Sequence, residues 1–270
     1  MNLVRMNLYR FVRTKAVYVL LIITVLFMGL IILDQKSMSE EAWEAEMELL
    51  QAEGIDVDDT DENVGITFGM TPITSASAMT ESLVSSGLLL VFTGIFAALF
   101  SNAERNGGYL KNLNSCAENR GQIFMAKGAP VAVFVLLSLL IVPLTSVALG
   151  LEAENIFSKE LILYILVQWL LHLAYGIFVL TVMEVSRSLV VGMLVGIFCG
   201  IGVGVVLLSF IENAFRVNGL ISSHMIVYIV RGLMLKNVME CLLPALLAGT
   251  IGFILYWIVG TLVFEKRDMY

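Results

Sequence analysis

The chain has 270 residues, of which 59% are hydrophobic and only 14% charged, with a formal net charge of −7. These proportions are far from those of an average soluble domain, because so much apolar surface needs a bilayer to cover it. The basic residues are sparse and lack an aromatic-interleaved surface, which argues against a nucleic-acid role.

Residues 1–15 place Met1, Val4, Leu8, Phe11 and Val12 along one helical stripe, with Asn2, Arg5, Asn7, Arg10 and Arg13 around the remainder. The pattern suits an amphipathic helix lying in the inner membrane interface, or a basic flank that only fixes topology. Six long apolar stretches follow, at 16–33, 83–100, 129–149, 161–183, 189–211 and 242–264. A helix of roughly 20 apolar residues crosses about 30 Å of hydrocarbon, so each stretch is long enough to span. The apolar residues run continuously instead of alternating, which excludes a barrel. The expected fold is therefore all-α, a single polytopic transmembrane domain over 1–270. The first stretch exceeds a usual signal sequence, and Ile32-Leu33-Asp34-Gln35 offers no small-residue cleavage site, so it is read as a retained first span.

Between Asp34 and Ser82 there are 13 carboxylates and only Lys36, a local balance of −12 that leaves the rest of the chain at +5. This segment is the expected acidic extracellular loop. Ser37 with Glu40 resembles a capping box, and Trp43, Met47 and Leu50 follow at helical spacing, predicting a short amphipathic outer helix. The run from Asp56 to Glu62 suggests calcium, yet Asp61 and Thr67 stand where an EF-hand has its glycine and its last acidic ligand. The plainer readings are a solvated acidic loop, or one that attracts cationic peptides by long-range electrostatics.

Residues 101–128 form a long loop of mixed charge that contains Glu104-Arg105-Asn106-Gly107-Gly108-Tyr109-Leu110-Lys111-Asn112-Leu113. Within 161–183, Gln168 and His172 lie one turn apart on one face, a candidate intramembrane polar site or a pair of interhelical packing contacts. Glu184 and Arg187 fall in a short inner connection, where pairing or interfacial exposure accounts for them. The stretch at 189–211 carries Gly192, Gly196, Gly200 and Gly204, a four-residue ladder that allows close helix packing, within this chain or against a second one. Residues 226–235 lie in an outer loop and are apolar enough for a re-entrant or interfacial helix.

Alternating sides places 11 Lys and Arg with the N-terminus and five opposite, three of those five in the 212–241 loop. The positive-inside rule then puts both termini in the cytoplasm of a multi-pass cell-membrane protein. Cys116, Cys199 and Cys241 fall in different environments, suggesting neither a disulfide nor a metal site. His172 and His224 are isolated, so there is no H-E-x-x-H, and no G-x-x-x-x-G-K-[ST] is present. An intramembrane protease and an ATPase are both disfavoured, and no cofactor is expected in this chain.

The Glu104, Gly107, Lys111-Asn112-Leu113 pattern, with Arg120 and with Lys127 just before the next apolar stretch, resembles the permease subunits of type-2 ATP-binding-cassette exporters. Six spans, an amphipathic elbow and the ending Phe264-Glu265-Lys266-Arg267-Asp268 are similar to the same family. The resemblance implies that 101–128 is a coupling loop docking on a separate ATPase subunit, which carries ATP and Mg. It implies Glu104, Lys111, Asn112 and Arg120 as polar contacts there, with Leu110 and Leu113 as apolar anchors. It also implies a second permease chain, as a homo- or heterodimer. The large acidic loop makes the chain most similar to bacterial permeases for export of, or immunity to, amphipathic peptides. A sensor or anchor whose acidic loop binds a ligand uses the same features and is the alternative.

Overall fold

The computed structural model describes residues 3–52, 73, 75–106, 120–153, 155–216 and 221–266, with the side chains of 38–52, 105–106 and 120 excepted. Every regular element among them is helical, apart from an isolated bridge between Ser75 and Glu152. The helices are α1 (Leu3–Arg13), α2 (Lys15–Ala52), α3 (Ala76–Ser85), α4 (Leu88–Asn106), α5 (Arg120–Ala148), α6 (Lys159–Ser186), α7 (Leu189–Gly200), α8 (Val203–Ala214), α9 (Ile226–Gly232) and α10 (Val238–Glu265). Among the described residues four regions are long and apolar enough to cross a membrane: Lys15–Ser37, Gly121–Ala148, Lys159–Ser186 and Leu235–Glu265. The count rises to six if each of two bent pairs, α3 with α4 and α7 with α8, is one span.

α6 is the axial element. Leu161, Tyr164, Leu171, Ala174, Ile177 and Leu180 are all buried along it, and α10 packs lengthwise against it. Around it, interhelical hydrogen bonds reach backbone carbonyls: Trp169 Nε1 to Ala132 (2.9 Å), Tyr175 Oη to Gly196 (2.6 Å) and Thr181 Oγ1 to Tyr256 (3.0 Å). In an apolar surround a side-chain hydroxyl or indole gains from such a partner. A second packing centre is aromatic. Phe96 stacks on Phe134 with centroids 4.1 Å apart, lies 5.6 Å from Phe100, and meets Phe11 of α1 edge-on at 5.8 Å.

Both of the bent pairs differ from the straight spans expected at 83–100 and 189–211. α3 and α4 meet at 57°, α7 and α8 at 69°. Gly87 (φ 84°) and Gly202 (φ 89°) occupy the two breaks, in a left-handed conformation that side chains disfavour. The expected separate outer helix after Ser37 is also corrected, because α2 runs unbroken from Lys15 to Ala52. Ser37 Oγ donates back to the carbonyl of Asp34 (3.0 Å) instead of capping a new helix. The expected acidic motif at 56–62 lies outside the described residues.

At the far end, residues 226–232 form α9, whose Ile226, Val227 and Val230 are buried against the bundle. Glu212 at the end of α8 closes the approach to it. Its carboxylate accepts from the backbone N–H of Ile221, the backbone N–H of Ser222 (2.9 Å) and Ser222 Oγ (2.6 Å).

Candidate functional site: a buried charge junction

Four ionisable side chains from four helices converge at the end of the bundle that carries α1. Glu104 stands in the last turn of α4 and Glu184 in the last turn of α6. A carboxylate there opposes the partial negative charge of the helix C-terminus, so each needs a cation nearby. Lys127 of α5 supplies it to both, with Nζ 2.7 Å from Glu104 Oε2 and 2.8 Å from Glu184 Oε1. Arg10, in the last turn of α1, places Nη1 2.6 Å from Glu104 Oε1 and donates through Nη2 to the Phe100 carbonyl at 2.8 Å. Ser101 Oγ donates to Glu184 Oε1 at 2.9 Å. Two aromatic faces complete the enclosure: Arg10 lies 4.5 Å from the Phe100 centroid, and Lys127 lies 5.0 Å from that of Phe264 in α10.

The side chains of Glu104 and Lys127 have no exposed surface, and Arg10 retains 15%. Among the described residues the junction holds two cations and two carboxylates, a formal charge of zero. Burying such a set is tolerable only when every charge has its partner, and removing one partner costs about 3–5 kcal/mol. The arrangement joins α1, α4, α5, α6 and the end of α10 at one point. It brackets residues 107–119, since Glu104 precedes them and Lys127 follows. Among the described residues no group of His, Cys, Asp and Glu could hold a metal ion.

Glu104 was a predicted contact for an external partner, and the structure places it in this junction. Leu110, Lys111, Asn112 and Leu113 lie outside the described residues, as does the side chain of Arg120. Sequence patterning puts Arg10 on the polar side of an interfacial helix or in a basic flank, and Glu184 in an inner connection, with no partner for either across the bundle. A signal for them was present: ionisable residues of both signs recur at the same end of four apolar stretches, where unpaired charges are costly.

Gln168 and His172 are both fully buried. The His172 ring nitrogen Nδ1 is 2.8 Å from the Gln168 carbonyl, and Gln168 Nε2 donates to the Val230 carbonyl at 3.1 Å. Gln168 thus ties α6 to α9, whereas the His172 contact stays within α6.

Three glycines of the ladder line the contacts of α7 with α4 and with α6. A Cβ on Gly196 would fall 3.1 Å from Gly94 Cα, one on Gly200 3.0 Å from the Val91 side chain, and one on Gly192 would run into Met183. Gly204 is separated from them by the 69° bend, so the ladder is not continuous along one face. A Cβ there would meet only Cys199 Sγ at 3.5 Å and Met225 Cε at 3.8 Å.

The two breaks meet each other. A Cβ on Gly87 would lie 2.8 Å from the Gly200 carbonyl oxygen, and one on Gly202 2.7 Å from Arg231 Nη1. Arg231, at the end of α9, uses Nη2 to bind the carbonyls of Ser86 (3.2 Å) and Ile201 (2.7 Å). One guanidinium therefore holds the ends of α3 and α7, and the missing glycine side chains make room for it.

No protein-family model, curated protein or solved structure matches the chain.

Proposed function

We propose that this chain is the membrane-spanning subunit of an ATP-driven exporter, in which each bent helix pair counts as one of six spans. It sits in a bacterial cell membrane with both termini in the cytoplasm and α1 as an interfacial elbow. The substrate is amphipathic or hydrophobic, with cationic peptides favoured by the −12 balance of residues 34–82. Energy comes from a separate ATPase subunit that binds ATP and Mg and docks on the 101–128 loop, and a second permease chain completes the pathway.

The observation that carries this reading is the buried charge junction. A subunit without an ATP site is driven only through contacts that differ between the partner's nucleotide states. A loop that hung freely between two spans would dissipate that difference. Here both flanks of the loop are tied by ion pairs at 2.6–2.8 Å to the elbow and to the axial helix, so displacement of the loop moves all of them together.

Affinity purification in mild detergent, with subunit counting by mass spectrometry, tests the reading. The expected result is a stoichiometric ATPase that is lost on Lys111→Glu and whose ATP turnover rises with substrate. Isolation of the chain without an ATPase across several detergents, with a ligand bound by the acidic loop and no flux, would establish the sensor or anchor instead.

A further inference from the structure

Two buried acceptors on α6 find no donor among the described residues. Gln168 and His172 have no exposed surface, and neither Gln168 Oε1 nor His172 Nε2 has a hydrogen-bond partner there. Their other polar atoms fix which way round each group stands. Gln168 Nε2 donates to the Val230 carbonyl, so Oε1 is the unmet end of the amide. His172 Nδ1 lies 2.8 Å from the Gln168 carbonyl, which can only accept, so Nδ1 carries the proton and Nε2 presents a lone pair. Residues four apart on a helix are neighbours on one face, and this contact folds the imidazole back along the turn that begins at Gln168. Two acceptors therefore stand side by side in an apolar interior, where an unmet acceptor is costly.

The pair sits at the level where the neighbouring helices are broken. α6 keeps a constant offset against α3 and α4: Tyr164 Oη donates to the Glu81 carbonyl (3.4 Å) and Ser101 Oγ to Glu184, each pair 83 residues apart. Between them, a Cβ on Gly176 would fall 3.2 Å from the Thr93 side chain, which continues the same register. With that offset Gln168 and His172 stand level with Ser85 and Leu89, on either side of the break at Gly87. Val230, which Gln168 holds, belongs to the last turn of α9, whose carbonyls lack helical donors. The next residue is the Arg231 that clasps both breaks. The Gln168 amide is thus one of the groups that fix this joint, and ordered water is a usual partner for polar groups where membrane helices are interrupted.

The chemistry selects the ligand. A metal ion is a poor match, because both ligand atoms are neutral and no group of His, Cys, Asp and Glu among the described residues could hold one. Water carries no charge, makes roughly two to four hydrogen bonds when buried, and has an O–H for each acceptor. We propose that a water molecule is bound between Gln168 and His172, donating one O–H to Gln168 Oε1 and the other to His172 Nε2. It joins the imidazole to the amide that holds α9, which makes His172 a positioning residue for Gln168. The inference stands apart from the exporter reading.

The test is solid-state NMR of histidine-labelled full-length chain in liposomes. The chain has two histidines, so a His224→Asn background leaves the His172 ring as the one imidazole signal. The expected ring is protonated at Nδ1, accepts a hydrogen bond at Nε2 and receives magnetisation from water. Gln168→Met, which keeps the volume but removes one of the two acceptors, is expected to reduce that transfer about fivefold, as for the loss of one hydrogen bond. Should Gln168→Met fail to fold, the unsubstituted site still decides. A ring protonated at Nε2, an Nε2 without a hydrogen bond, or no transfer from water overturns the proposal, as does transfer unchanged in a folded Gln168→Met.

Discussion

Replacing Lys127 by methionine removes the cation shared by two buried carboxylates and leaves the Arg10–Glu104–Glu184 set with a formal charge of −1. At 2.7 and 2.8 Å the Lys127 ammonium attracts each carboxylate by about 6 kcal/mol at an effective dielectric near 20. Most of that is offset by the cost of burying the ions, several kcal/mol each, so the net loss expected for Lys127→Met is about 3–5 kcal/mol. Methionine fills nearly the same volume, so a cavity contributes little. The loss should be read as the shift in a reversible denaturant titration in mixed micelles. The charge argument makes a second claim that a packing argument does not. Lys127→Met combined with Glu184→Gln restores neutrality, keeps an acceptor for Ser101, and is expected to be more stable than Lys127→Met alone by about 1–3 kcal/mol. A Lys127→Met loss below about 1 kcal/mol, or strictly additive losses in the double variant, would refute the account of the junction as a charge-balanced unit.

The glycines make contrasting predictions. Gly94→Ala sets a methyl 2.8 Å from Gly196 Cα, a backbone atom with little freedom to move, and should cost about 1–3 kcal/mol in the same titration. Gly204→Ala meets only ordinary contacts and should be neutral or stabilising by up to about 1 kcal/mol, from helix propensity; equal losses at the two positions would refute the interrupted ladder. Gly202→Ala combines a positive φ with a methyl pressed on Arg231. It should cost at least about 1–2 kcal/mol and increase hydrogen exchange at both Ser86–Leu90 and Ile201–Val205, because the two breaks share one clasp. Exchange rising at 201–205 alone would show that the breaks are independent.

The all-helical class and the apolar segments were legible in the sequence because the relevant physics is local. A run of about 20 apolar residues states its own solvent and its own secondary structure. Close packing at Gly192, Gly196 and Gly200 was legible for the same reason, since small residues at a four-residue spacing mark one face of a helix. The bends were not legible. Gly87 and Gly202 look like any glycine in an apolar run, and whether such a glycine breaks a helix depends on what packs there. Here it is a guanidinium from a residue more than a hundred positions from one break and about thirty from the other. The ladder that seemed to include Gly204 ends at that joint.

The same division holds for the candidate site. Sequence alone identified Glu104 and noted Lys127, but it assigned Arg10 and Glu184 to separate ends of separate segments. A charge at the edge of an apolar stretch satisfies the rules of topology by itself, so nothing local asks for a partner. Pairing is a property of helices brought together: Ser101 and Glu184 are 83 residues apart, and Lys127 and Glu184 are 57. The sequence by itself determined that this chain is helical and carries segments apolar enough to cross a membrane, since each residue carries its own transfer free energy. Only the tertiary structure decided which charges share a site and where the helices bend, since those depend on distances between residues that no local pattern encodes.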